Sequence, residues 1–171
     1  MMRLATRQVV IAGLLGAIAI ILGATGLGFV PVPTPAGRAT IMHVPAIIAG
    51  ILEGPAVGFL VGLIFGLFSF MQANAFFADP MVAIVPRMLI GVAAYLAYRP
   101  FADRPLFGAG VAAVAGTLTN TIGVLSLAVL KGYIPSWVIA GGIVVSHGLP
   151  EVIVAVIIVV LVVKATSKFE R

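Results

Sequence analysis

The residues able to do chemistry in this chain are few, and most of them sit inside or at the ends of long apolar stretches. They are His43, Gln72, Asn74, Arg87, Thr117, Asn120, Thr121, His147 and Glu151. A polar group inside an apolar, lipid-facing segment is costly, so by default it marks function. Arg87 stays charged and presents a fork of donors, which suits a carboxylate or a phosphate. Thr117, Asn120, Thr121 and Val124 are three or four residues apart and share one helix face. His147 and Glu151 share another, and Pro150 beside them frees backbone groups. Each residue also has a plainer reading. Arg87 could pair with Glu151 or Asp79 to hold a bundle. Asn120 could join two helices. Either histidine could be packed and hydrogen-bonded. The set is what points to a site, because five of six apolar segments bring polar side chains to one depth. A shared wet hollow reached from outside, containing Arg87, Asn120 and Glu151, accounts for that.

Several reaction classes are absent from the pattern. There is no cysteine, which removes disulfides, thiolate metal sites and a cysteine nucleophile. There is no Gly-x4-Gly-Lys-Ser/Thr phosphate loop, no His-Glu-x2-His pair and no Gly-x-Ser-x-Gly elbow. No cofactor and no bound metal are therefore expected. An intramembrane metal-dependent enzyme using His43, His147 and Glu151 is an alternative, but the chain lacks a recognised ligand spacing. The net charge of +5 comes from scattered residues rather than a basic stripe, so nucleic acid is not an expected partner. Asp79 and Glu151 are the acidic residues expected on the outer side. An ion-driven carrier usually carries more intramembrane acid or an inverted repeat. Energy for any transport is therefore expected from another subunit.

The elements that must position these groups are apolar helices. Of 171 residues, 62% are hydrophobic and 9% charged, against about 25% charged in soluble domains. Lipid must cover much of the surface. The expectation is an all-α integral membrane protein: one domain over residues 1–171, built as a six-transmembrane-helix bundle. The helices are read as Gln8 to Phe29, Arg38 or Thr40 to Glu53, Pro55 to Gln72, Met81 to Tyr98, Gly108 to Leu130, and Trp137 to Val163. A proline-rich loop over Val30 to Gly37 follows the first. Gly54-Pro55 breaks the second from the third, and the sixth has a weak point at Gly148-Leu-Pro150. Asp79 is a start signal for helix four, Glu53 an inner-surface cap or turn residue, and Trp137 an interfacial anchor. With both termini cytoplasmic, Arg3, Arg7, Arg99, Arg104, Lys164, Lys168 and Arg171 lie inside, against Arg38 and Lys131 outside. That distribution obeys the positive-inside rule. The first apolar run is longer than a signal-peptide core, and it is read as a helix of the bundle.

Two segments carry small residues four apart, which let another helix approach closely. In helix three the row is Gly58, Gly62 and Gly66, expected to pack within the chain. In helix one the pairs are Ala12 with Gly16 and Gly13 with Ala17, candidates for a face that meets a partner membrane protein.

The run Thr40-Ile-Met-His-Val-Pro-Ala-Ile-Ile-Ala-Gly-Ile-Leu-Glu-Gly-Pro55, with the glycine-spaced helix after it, resembles the substrate-binding S components of energy-coupling factor (ECF) vitamin transporters. So do Val85-Pro-Arg-Met-Leu-Ile-Gly91, Gly116-Thr-Leu-Thr-Asn-Thr121 and Gly148-Leu-Pro-Glu151. The resemblance implies a six-helix protein of the prokaryotic cell membrane that captures a water-soluble vitamin from outside. It implies partnership with a transmembrane coupling subunit and two ABC-type ATPases, whose ATP hydrolysis topples the loaded S component in the bilayer. It also implies that the small residues of helix one face the coupling subunit. The His-Val-Pro, Pro-Arg and Thr-Asn-Thr pattern is similar to pantothenate-type members, with Arg87 suited to that vitamin's carboxylate and Asn120 to its amide or hydroxyls. Riboflavin, folate, pyridoxine and hydroxymethylpyrimidine are the alternatives.

Overall fold

The computed structural model describes residues 5–31, 38–72 and 78–167. Asn74 and the termini lie outside them, as do Arg3, Lys168 and Arg171.

The first helix, α1 (Thr6–Thr25), ends four residues before the predicted boundary. Gly26 takes φ 78°, a left-handed conformation that glycine adopts without steric cost and that stops a helix. The chain then forms β1 (Phe29–Pro31), which pairs antiparallel with β2 (Arg38–Thr40), Phe29 opposite Thr40. This pairing corrects the start of helix two at Arg38 or Thr40 and puts Val30 and Pro31 of the expected proline-rich loop in a strand, while residues 32–37 of that loop lie outside the described residues. Pro31 is compatible with a strand here because a two-stranded ribbon is all edge.

Helix α2 (Val44–Glu53) carries Pro45 in its first turn, where the missing N–H costs nothing. Its ten residues span about 15 Å, half of a hydrocarbon core of about 30 Å. Gly54 turns the chain into α3 (Pro55–Met71). Asp79 then caps α4 (Pro80–Tyr98) by accepting from Met81 N at 2.8 Å, as its position before Pro80 predicted. A 3-10 turn (Arg99–Phe101) leads to α5 (Pro105–Leu130), which begins at Pro105 rather than at the expected Gly108. The last rod is α6 (Trp137–Ile143), a π-helical turn (Val144–Gly148) and α7 (Leu149–Thr166). The π turn ends on Gly148, the first residue of the predicted weak point. Pro150 has no N–H to give to the turn before it, and the widened register absorbs that loss.

Among the described residues, four rods are long and apolar enough to cross a bilayer: Thr6–Thr25, Pro80–Phe101, Pro105–Leu130 and Trp137–Thr166. α2 and α3 are shorter apolar helices packed among them.

Glycines set how closely these rods approach. A Cβ at Gly62 would collide with the carbonyl oxygen of Arg87, one at Gly66 would lie 2.9 Å from Ile84 Cα, and one at Gly58 would lie 2.8 Å from Gly91 Cα. Gly50 of α2 meets Gly91 at the same junction. The α3 glycine row is thus consumed by α4, as expected. In α1 the two small-residue pairs separate. Ala12, Gly16 and Ala19 are buried, and a Cβ on Gly16 would strike Ile64 of α3. Gly13 and Ala17 are exposed on the opposite side, with nothing within 4 Å of a Cβ at Gly13.

The ends of the bundle differ. The hairpin, the end of α3 and the start of α4 gather at one. At the other, Arg7 pairs with Glu53 at 2.8 Å, tying the start of α1 to the end of α2. Both described chain ends lie there, as do Arg99 and Arg104 on the turn from α4 to α5.

Candidate binding site

Because α2 stops short, the hairpin end of the bundle is not filled. A cavity of about 290 Å³ opens there. Phe29, Thr40 and Met42 of the hairpin and the residues after it form one wall. Phe65, Ser69 and Gln72 come from the last turns of α3, Arg87 from α4, and Asn120, Thr121, Val124 and Leu125 from one face of α5. Ile143 and His147 close it from α6 and the π turn. A purely structural subunit would have this half filled and dry.

Arg87 is 4% exposed. Its Nη1 donates to Ala83 O at 2.7 Å and to Val82 O at 3.4 Å, and its guanidinium carbon stands 4.9 Å from the centre of the Phe65 ring. These contacts fix the head group against the helix and the ring while it borders the cavity. Both carboxylates weighed as its partners also hold other groups. Asp79 accepts from Lys131 Nζ at 3.2 Å and Tyr133 OH at 3.3 Å. Glu151 takes His147 Nε2 at 2.9 Å, Thr40 N at 3.0 Å and Thr121 Oγ1 at 3.2 Å.

Asn120 is 7% exposed and lines the cavity, and its Oδ1 has no hydrogen-bond partner among the described residues. A buried amide oxygen without a donor is uncommon and calls for an explanation. A ligand donor in the cavity supplies one.

Of the residues singled out in the sequence, Gln72, Arg87, Asn120, Thr121 and His147 reach the cavity wall. His43, Thr117 and Glu151 stand behind it. His43 Nε2 meets Thr117 Oγ1 at 2.9 Å, both fully buried, a pair that joins α2 to α5 under the cavity. Glu151 lies behind Thr40, Thr121 and His147. Among the described residues no group of three or more His, Asp or Glu is arranged to hold a metal. The sequence reading missed Phe29, Thr40 and Met42, which reach the cavity only because the hairpin folds over it. It also missed Phe65 and Ser69, whose spacing of four and seven residues from Phe65 to Ser69 and Gln72 was a readable signal. A second hollow of about 310 Å³ between α1, α2 and α7 has wholly apolar walls, among them Leu15, Ile48 and Ile158. It offers a hydrophilic ligand nothing to bond.

This arrangement can be compared with known proteins. The family model for the substrate-specific component of ECF transporters matches residues 7–163. The chain belongs to that family. A pantothenic acid transporter PanT of Lactococcus lactis subsp. cremoris (strain MG1363) is 35% identical over 156 residues, 77% of this chain and 79% of that protein. A pantothenate transporter PanT of Leuconostoc mesenteroides subsp. mesenteroides is 29% identical over 119 residues, 61% of this chain and 58% of that protein. A solved S component of a bacterial ECF transporter shares the fold. It matches with a TM-score of 0.66 at 22% identity, covering 96% of this chain and 98% of that one. The S component described here is therefore a membrane protein with a cavity at one end of the family fold, its largely apolar wall set with a few polar groups.

Proposed function

We propose that this S component captures pantothenate in the hairpin-end cavity. The observation that carries the reading is Arg87 and the unsatisfied Asn120 Oδ1 on one cavity wall. Pantothenate has a carboxylate at one end, a secondary amide in the middle, and two hydroxyls beside a pair of methyl groups. Arg87 takes the carboxylate through charge-assisted hydrogen bonds. Asn120 accepts from the amide N–H or a hydroxyl, while Gln72, Ser69 and Thr121 offer further partners. Val124, Leu125 and Ile143 receive the methyl groups. The relatives named for pantothenate support this ligand. So does size, because 290 Å³ lies at the small end of ligand sites, about 300 to 1,000 Å³. That favours a compact ligand over a flavin or a folate.

The protein sits in the prokaryotic cell membrane as a bundle of six helical segments, with α2 reaching only part of the way across. The end carrying Arg7, Arg99 and Arg104 is cytoplasmic by the positive-inside rule, and both termini lie there. The cavity then opens outward. The exposed Gly13–Ala17 side of α1 docks on a transmembrane coupling subunit that works with two ABC ATPases, while Ala12 and Gly16 stay within the chain. Binding of radiolabelled pantothenate to the purified protein tests the reading. Saturable binding that Arg87→Ala weakens supports it. Absence of binding, or binding indifferent to Arg87, counts against it.

A further inference from the structure

The hairpin over the cavity has two strands of three residues each. A ribbon that small does not hold its place alone. Successive amides along a strand point to opposite edges. Ile41 N donates back to Gly28 O at 2.8 Å, so the Thr40 amide faces away from β1. There it donates to Glu151 Oε1 at 3.0 Å, across 111 residues of chain. The same carboxylate accepts from Thr121 Oγ1 and from His147 Nε2. Glu151 is 1% exposed and is not part of the cavity wall, whereas all three donors are. One buried carboxylate therefore ties the hairpin, α5 and the π turn together.

We infer that Glu151 is a positioning residue: it touches no ligand, but its bond to the Thr40 amide fixes the hairpin across the mouth and sets how long a ligand stays. The part concerning the ligand rests on the pantothenate reading; the part concerning the hairpin does not. A role confined to holding helices together would need only the bonds to Thr121 and His147. The third bond goes to the backbone of the element that forms the mouth. Since the donor is a main-chain amide, no ordinary side-chain change at position 40 removes it.

The test uses the full chain in lipid nanodiscs, as wild type, Glu151→Ala and Glu151→Gln. Glutamine keeps an acceptor but loses the charge that roughly doubles such a bond's strength. Hydrogen exchange of the 28–42 segment is measured first, without ligand. The expected order of exchange rate is alanine fastest, glutamine intermediate, wild type slowest, with the α3–α4 contact unaffected. Dissociation of radiolabelled pantothenate is then timed. The expectation is roughly tenfold faster release from Glu151→Ala, with partial rescue by glutamine. Unchanged hairpin exchange in the alanine variant overturns the inference, whatever the ligand does. Faster exchange with unchanged release overturns the link to residence time. If wild type binds no pantothenate, the proposed ligand fails while the exchange order still decides the hairpin contact. Should Glu151→Ala not fold, the glutamine variant decides: faster hairpin exchange than wild type supports the contact, and equal exchange overturns it.

Discussion

Asn120 is where the residue-scale account is sharpest, because a buried oxygen without a donor is a cost to the empty protein that a ligand can relieve. Asn120→Leu is therefore predicted to do two opposite things. It raises the thermal stability of the ligand-free protein, since a desolvated acceptor is replaced by an apolar group. It also weakens pantothenate binding about fivefold, the worth of one ordinary hydrogen bond of about 1 kcal/mol. A thermal shift with and without ligand measures both. Asp79 gives a second test. The hydrogen bond from Met81 N, and then Lys131, hold its carboxyl below its ordinary value of 3.8. A depressed carboxyl stabilises the fold fully above its unfolded value and loses that contribution as pH falls through the folded one. Asp79→Asn should flatten the acid-side decline of the melting temperature below about pH 4, and an unchanged decline would show the cap to be inert. The types of Gln72, Arg87, Asn120, Thr121 and His147 made them legible in the sequence, since each is polar in an apolar setting. The same rule also selected His43, Thr117 and Glu151. A polar type says that a buried side chain needs a partner, not whether that partner is a ligand or, as with His43 and Thr117, another helix.

At the scale of elements, the site exists because α2 is short and because α3 and α4 touch backbone to backbone. Gly62 sits against the carbonyl of Arg87 itself. Gly62→Ala must push α4 outward and carry the guanidinium with it, so it should lower stability by about 1 to 3 kcal/mol, the usual range for overpacking, and weaken ligand binding as well. Gly13→Ala meets open space and should do neither. Circular-dichroism melts and binding assays on the pair check this. The helices were readable from apolar length and from Pro and Gly punctuation, as at Gly54-Pro55 and Asp79-Pro80. The hairpin was not. Three-residue strands carry no periodicity; Gly26 turns the chain ahead of them, and the Thr40 amide bonds Glu151 from 111 residues away. The cavity wall it contributes was lost with it.

For the whole molecule, the proposed function puts capture and energy supply on different surfaces. In that proposal capture belongs to the hairpin-end cavity, and coupling to the exposed small-residue side of α1. Gly13→Leu should thus leave pantothenate affinity of the purified protein unchanged while cutting ATP-dependent uptake in cells that also make the coupling module, by tenfold or more if a close helix contact is lost. Reduced affinity in the purified variant would show that the two surfaces are not independent. The central claim is that the hollow framed by Arg87 and Asn120 holds pantothenate, and equilibrium binding of the radiolabelled vitamin in nanodiscs tests it most directly. The account predicts saturable binding at one molecule per chain, weakened ten- to a hundredfold by Arg87→Ala, as expected for a bond to a charged group worth about 1.5 to 3 kcal/mol. Equal affinity in wild type and Arg87→Ala, or no saturable binding by a folded wild type, would contradict it.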